Sequence, residues 1–173
     1  MSKWVMLSVI MLAALAQAVL PGTPWLGHAK VPALMAVVVY YALARDRSDW
    51  LAAAILAGLV QDGMGLMPFG YSSFAFCVMA LMVARFKDLV FVHETVTHML
   101  FGLLTAAGVT FILYLLLRTG GGLEMGFGSA LHKVMGTALL GAVVTPVIFM
   151  GCAHLDQLMG VVAPTDTSWH DLR

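Results

Sequence analysis

The stretch Trp50–Arg85, WLAAAILAGLVQDGMGLMPFGYSSFAFCVMALMVAR, decides how this chain folds. It reads as two apolar helices joined by a glycine-rich turn, with a single carboxylate, Asp62, in the first. An ionisable side chain between two membrane-length apolar runs is costly in lipid, so Asp62 is expected to face protein or water. The turn from Gly63 to Gly70 holds Gly63, Gly65, Pro68 and Gly70, and neither Lys nor Arg. A tightly punctuated turn without cations fits a hairpin whose tip lies on the non-cytoplasmic side of a membrane.

The composition agrees. The chain has 173 residues, 61% hydrophobic and 10% charged, with a mean hydropathy of +0.95. Soluble domains carry roughly 25% charged residues, so too little polar side chain is present to cover a soluble globule. Backbone groups in lipid must be satisfied internally, which leaves helices or a closed barrel. The apolar runs are continuous rather than alternating, which excludes the barrel. The reading is an all-α membrane protein with about six transmembrane helices of roughly 20 residues each. Residues 1–155 form one transmembrane helical domain and 156–173 a polar tail that is expected to be poorly ordered. A formal net charge of zero offers no basic face for nucleic acid. Cys77 and Cys152 lie in apolar spans without a CxxC motif and read as packing residues.

Outward from the hairpin, residues 4–20 read as the first span. Ala16-Gln17-Ala18 resembles a signal-peptide cleavage site, but the apolar run exceeds a usual signal core, so a retained span is favoured. Pro21-Gly22-Thr23-Pro24 ends it, and Trp25–Lys30 is a short interfacial connection. The second span starts near Val31, with Pro32 in its first turn, and runs to Arg45. It is short enough to cross only part of a bilayer, which leaves five or six spans open. Ser48 or Asp49 is the expected N-cap of the third helix. The stretch LVFVHETVTH after Arg85-Phe86-Lys87-Asp88 reads as interfacial. A fifth span follows over about Met99–Leu117, then a break at Thr119–Gly122 and a loose loop over Leu123–Ser129. The sixth runs from about Leu131 to Met150, kinked at Pro146. With both termini cytoplasmic, Lys3, Arg45, Arg47, Arg85, Lys87 and Arg173 fall inside and Lys30, Arg118 and Lys133 outside. That bias supports N-in, C-in.

The candidate chemistry is sparse. In His93-Glu94-Thr95-Val96-Thr97-His98 the histidines are five apart, not four as in HExxH. On a helix this turns the second imidazole about 140° from the first, and a metal site is rejected. His28, His132, His154 and His170 are scattered near span ends. No nucleophile elbow, Walker motif or dinucleotide motif occurs, and no second intramembrane carboxylate stands near Asp62 to form a dyad. Asp62 therefore remains as a proton or ion relay, a ligand contact, a contact to a partner's basic residue, or a cap on backbone N–H groups of the adjoining turn. The last is favoured, because Asp oxygens do this well and glycines expose donors. Gly58 and Gly65 are expected to admit a close helix approach.

The segment Lys30–Lys87 resembles the rod shape-determining protein MreD family. The resemblance rests on Pro32, then VVVYYALARDR, then Gly58-Leu59-Val60-Gln61-Asp62, then Pro68-Phe69-Gly70, and the span closing at Arg85. It covers about a third of the chain directly. Phe69 stands where leucine is usual in the family, and Gly63 and Gly65 loosen the turn. The loop GGGLEMGFG in the second half matches no family motif. The resemblance implies a fold similar to the S components of energy-coupling vitamin transporters. It also implies a non-enzymatic inner-membrane subunit without cofactors that binds MreC and links MreB filaments to RodA and its partner transpeptidase. Gly58, Asp62, Gly65, Pro68 and Gly70 would then shape the hairpin or meet the partner. The alternative is an S-component-like subunit holding a vitamin-like ligand, with Asp62, Tyr40, Tyr41 and Tyr71 as pocket members.

Overall fold

The computed structural model describes residues 3–20, 31–45, 47–65, 68–86, 95–120 and 126–158. Their regular structure is helical, in six elements: α1 (Lys3–Val19), α2 (Ala33–Ala44), α3 (Arg47–Gly65), α4 (Tyr71–Phe86), α5 (Thr95–Thr119) and α6 (Phe127–Leu158). The expected Pro21–Pro24 break, the Trp25–Lys30 connection, most of the interfacial stretch 87–94 and the tail beyond Leu158 lie outside the described residues.

Helix α2 is the centre of the bundle. Its sequence, ALMAVVVYYALA, is apolar on every side, and a helix of that kind is stable only when surrounded. Every residue from Ala33 to Leu43 is buried, and α2 packs against each of the other five helices. Its 12 residues span about 18 Å, well short of the roughly 30 Å of a hydrocarbon core. Pro32 precedes the helix instead of lying in its first turn, and its carbonyl accepts the Ala36 N–H at 3.1 Å.

Around α2, the hairpin α3–α4 buries Trp50, Ala53, Ala54 and Ala57 from one helix and Ala75, Phe76, Ala80 and Val83 from the other. Small residues on α3 let the two backbones approach closely. Helix α3 begins at Arg47, so Ser48 and Asp49 lie inside its first turn and neither is the N-cap. Asp49 instead places a negative charge at the positive end of the helix dipole.

Helices α5 and α6 form the longest contact of the fold. Gly102 and Gly141 meet there, with the buried Thr145 filling the space beside Gly102. Both helices exceed their expected limits. Thr95–His98 belong to α5, so the C-terminal end of the expected interfacial stretch is regular helix. At the other end, α6 already starts at Phe127 inside the expected loop, with the Ala130 N–H on the Gly126 carbonyl at 3.2 Å. It also takes in Asp156, expected in the tail, and continues past Pro146 without interruption. Proline removes one donor, and the many remaining α6 hydrogen bonds hold the helix together.

Among the described residues two segments, Val96–Thr119 and Gly128–Leu155, are long and apolar enough to cross a membrane. Trp4–Val19, Ala33–Ala44 and Tyr71–Phe86 are apolar but shorter. The outer faces are apolar as well. Leu131, Met135, Leu139, Val143 and Val147 form an exposed stripe at four-residue spacing along α6. Leu100, Leu104, Phe111 and Leu115 are likewise exposed on α5, and Leu7, Met11, Leu12 and Leu15 on α1. Contiguous exposed apolar surface on this scale marks a face that meets something other than water.

Candidate functional site

Asp62 lies one turn from the end of α3 and is 1% exposed. Its Oδ2 accepts the Gly70 N–H at 2.7 Å and its Oδ1 the Ser72 N–H at 3.0 Å. These donors stand at the start of α4, where the first N–H groups of a helix lack intrahelical partners. The carboxylate is thus an N-cap supplied from the preceding helix, and the dipole of α4 favours its negative charge. Of the four roles open to Asp62, capping is the one its hydrogen bonds express. One donor belongs to Gly70 of the expected turn and the other to Ser72, just beyond it.

The neighbouring motif residues complete the turn. Gly70 has φ +99°, a conformation costly for any residue with a β-carbon. The Pro68 carbonyl accepts the Tyr71 N–H at 3.4 Å, and the Gly70 carbonyl accepts the Phe74 N–H at 2.9 Å. A β-carbon at Gly58 would overlap the backbone of Ser73. The Ser73 hydroxyl donates to the Ile55 carbonyl at 3.1 Å, tying the helices one turn further along. Gly65 behaves differently from the expectation for Gly58. It is the exposed last residue of α3 and lines a cavity.

That cavity has a volume of about 340 Å³. Its polar lining consists of Gln17 from α1, Gln61 from α3, Thr110 and Tyr114 from α5, and Lys133 and Thr137 from α6. The lining residues come from the C-terminal parts of α1, α3 and α5, from the start of α2 and α6, and from α4 through Phe76. The cavity therefore sits at one end of the bundle, opposite Arg45, Arg47 and Arg85.

None of Asp62, Tyr40, Tyr41 and Tyr71 lines this cavity, contrary to the expectation for a ligand pocket. Tyr40 packs edge-on against Tyr41 and Phe149, with ring centroids 5.7 and 5.2 Å apart. Being part of an apolar helix surrounded on all sides, Tyr40 and Tyr41 are buried in the core instead. The signal for the residues that do line it was modest. Gln17 is the one amide in the first apolar run, and Gln61 the one in the third. The His98 ring packs on Phe149 at 4.2 Å between centroids, while His93 and Glu94 lie outside the described residues. Among the described residues no three His, Cys, Asp or Glu side chains are grouped as a metal site requires.

No protein-family model matches the chain, and neither the curated proteins nor the solved structures compared with it give a match.

Proposed function

We propose that this chain is an MreD-like scaffold of the bacterial inner membrane that binds an MreC-like protein. In this role it supports lateral peptidoglycan synthesis and cell shape, acting with MreB filaments, RodA and its transpeptidase. The observation that carries the reading is the engagement of Asp62. Both of its oxygens accept backbone N–H groups at the start of α4, so the most unusual side chain of the motif helps to build the hairpin. The ordered set Gly58, Asp62, Pro68 and Gly70 is the part of the chain that resembles MreD, and its geometry accords with a shape-giving role. The exposed apolar stripes on α1, α5 and α6 supply intramembrane surface for lipid and for a partner helix. In this reading all six helices lie in the membrane as a multi-pass bundle, the shorter ones spanning it in part, with both termini cytoplasmic.

The second reading, a substrate-binding subunit of a small-molecule transporter, is favoured by the cavity and its amide, amine and hydroxyl lining. Affinity purification of the tagged protein from its native cell in mild detergent, followed by mass spectrometry, separates the two. Near-stoichiometric recovery of a single-span coiled-coil protein supports the scaffold. Recovery of ATPase and coupling subunits in its place overturns it.

A further inference from the structure

Three polar groups of the cavity, on Gln61, Tyr114 and Lys133, are set to donate, while the Thr110 and Thr137 hydroxyls use their protons on backbone carbonyls and offer acceptor oxygens. The Leu34 backbone N–H donates to Gln17 Oε1 at 3.3 Å. A backbone N–H can only donate, so it fixes which end of the Gln17 amide is oxygen. Gln17 Nε2 then donates to Gln61 Oε1 at 2.6 Å, which in turn fixes the Gln61 amide and leaves its NH₂ group as a donor. Tyr114 is oriented in the same way. Its oxygen accepts from Arg118 Nη1 at 3.1 Å, which leaves its O–H to donate. Lys133 adds an ammonium group with donors alone. The hydroxyls of Thr110 and Thr137 donate to the Ala106 and Lys133 carbonyls, both at 2.8 Å. Among the described residues that line the cavity there is no carboxylate.

The rest of the wall is apolar, with Met35, Phe76, Val109 and Leu113 prominent. The volume, about 340 Å³, is at the small end of the roughly 300–1,000 Å³ of ligand pockets. Tyr114 stands one turn beyond Thr110 on α5, and Thr137 one turn beyond Lys133 on α6, so each pair shares a helix face. A cationic amine, an amide NH₂ and a phenol over an apolar wall match an acceptor-rich head joined to an apolar body. Charge-assisted hydrogen bonds from the amine make an anionic head the strongest fit.

We propose that this cavity binds the anionic head of a small amphipathic molecule, a carboxylate or phosphate monoester with an apolar tail, through Lys133, Gln61 and Tyr114. The proposal goes beyond the scaffold reading and does not depend on it. In a scaffold the occupant is a membrane lipid or lipid-like regulator, and in a transporter subunit a solute. The anionic head is common to both. With the orientation proposed above, the site faces the non-cytoplasmic side.

The test uses the full-length protein in phosphatidylcholine nanodiscs, titrated with octanoate, octyl phosphate, octylammonium and octanol, with binding read by calorimetry and by the thermal midpoint. Saturable binding of octanoate or octyl phosphate, at least about tenfold tighter than octanol or octylammonium, is expected from a charge-assisted site. Lys133→Gln is expected to weaken that binding about tenfold, with Lys133→Arg retaining most of it. Tyr114→Phe, which removes one donor, is expected to weaken it by a smaller factor. Equal binding of all four probes, no binding of either anion, or unchanged affinity in both Lys133→Gln and Tyr114→Phe overturns the proposal. The probe comparison is made on the unmodified protein, so a variant that fails to fold does not remove the test. Repeating the titration in nanodiscs that contain phosphatidic acid, whose head is a phosphate monoester, distinguishes the source. Competition with octyl phosphate identifies a lipid headgroup, and unchanged affinity identifies a soluble anion. Partner recovery is read separately, so failure of this site leaves the scaffold reading standing, and the reverse holds too.

Discussion

Gln61 and Asp62 are consecutive residues of α3, yet they belong to different parts of the molecule. One step along a helix turns the side chain by about 100°. Asp62 faces α4 and is buried, with both oxygens occupied by backbone donors. Gln61 faces the cavity, where one end of its amide meets Gln17 and the other is left over. The hairpin occupies both oxygens of its carboxylate with backbone donors, although the buried Ser72 hydroxyl beside them has no partner, whereas the cavity presents donors toward its interior. A polar residue in an apolar helix is structural or available according to whether its neighbours use up its hydrogen-bonding capacity.

This contrast predicts that changes in the hairpin lower stability and changes at the cavity lower binding. The largest effect is expected from Asp62→Ala, which leaves two buried N–H groups unpaired and costs about 2–5 kcal/mol. Asp62→Asn retains one acceptor, preserves insertion, and is expected to cost less. Both are measured by thermal or denaturant unfolding in detergent. Wild-type stability and partner recovery in Asp62→Asn would make the charge irrelevant and break the comparison on the hairpin side.

Gly58→Ala comes next. Its added methyl meets the Ser73 backbone, which cannot move like the end of a flexible side chain. A loss of about 1–3 kcal/mol is expected, as for other overpacked sites. Gly70→Ala places a β-carbon at φ +99°, although open space surrounds it, and the expected cost is about 1–2 kcal/mol from backbone strain alone. A smaller loss than in Gly58→Ala would separate close packing from conformation within one turn. The smallest stability change is expected for Lys133→Gln, within about 0.5 kcal/mol, because the side chain is partly exposed at the cavity. A large loss of stability there would show that the amine supports the fold and would erase the contrast.

Much of the hairpin was readable in order along the chain. Asp62 among apolar residues had to be buried or hydrated, and Gly70 after Pro68 marked a turn. Local chemistry decides both, and the structure agrees. Helix limits were less readable. Thr95–His98 read as interfacial and Phe127–Ser129 as loop, yet both belong to long helices. Their propensities are weak beside the packing of α5 on α6. The aromatic residues were the clearest departure. Tyr40 and Tyr41 carry polar tips suited to a ligand site, but they sit on a helix enclosed by five others.

The sequence by itself determined an all-helical chain rich in continuous apolar runs, with a hairpin about residues 63–70 and Asp62 beside it. Those features depend on composition and on neighbours within a turn or two. Only the tertiary structure decided which N–H groups Asp62 caps and that α2 is central. It alone brought Gln17, Gln61, Tyr114 and Lys133 around one cavity. Those residues are separated by up to a hundred positions or more along the chain, and their meeting depends on how the helix ends converge. No local pattern encodes a distance between helices.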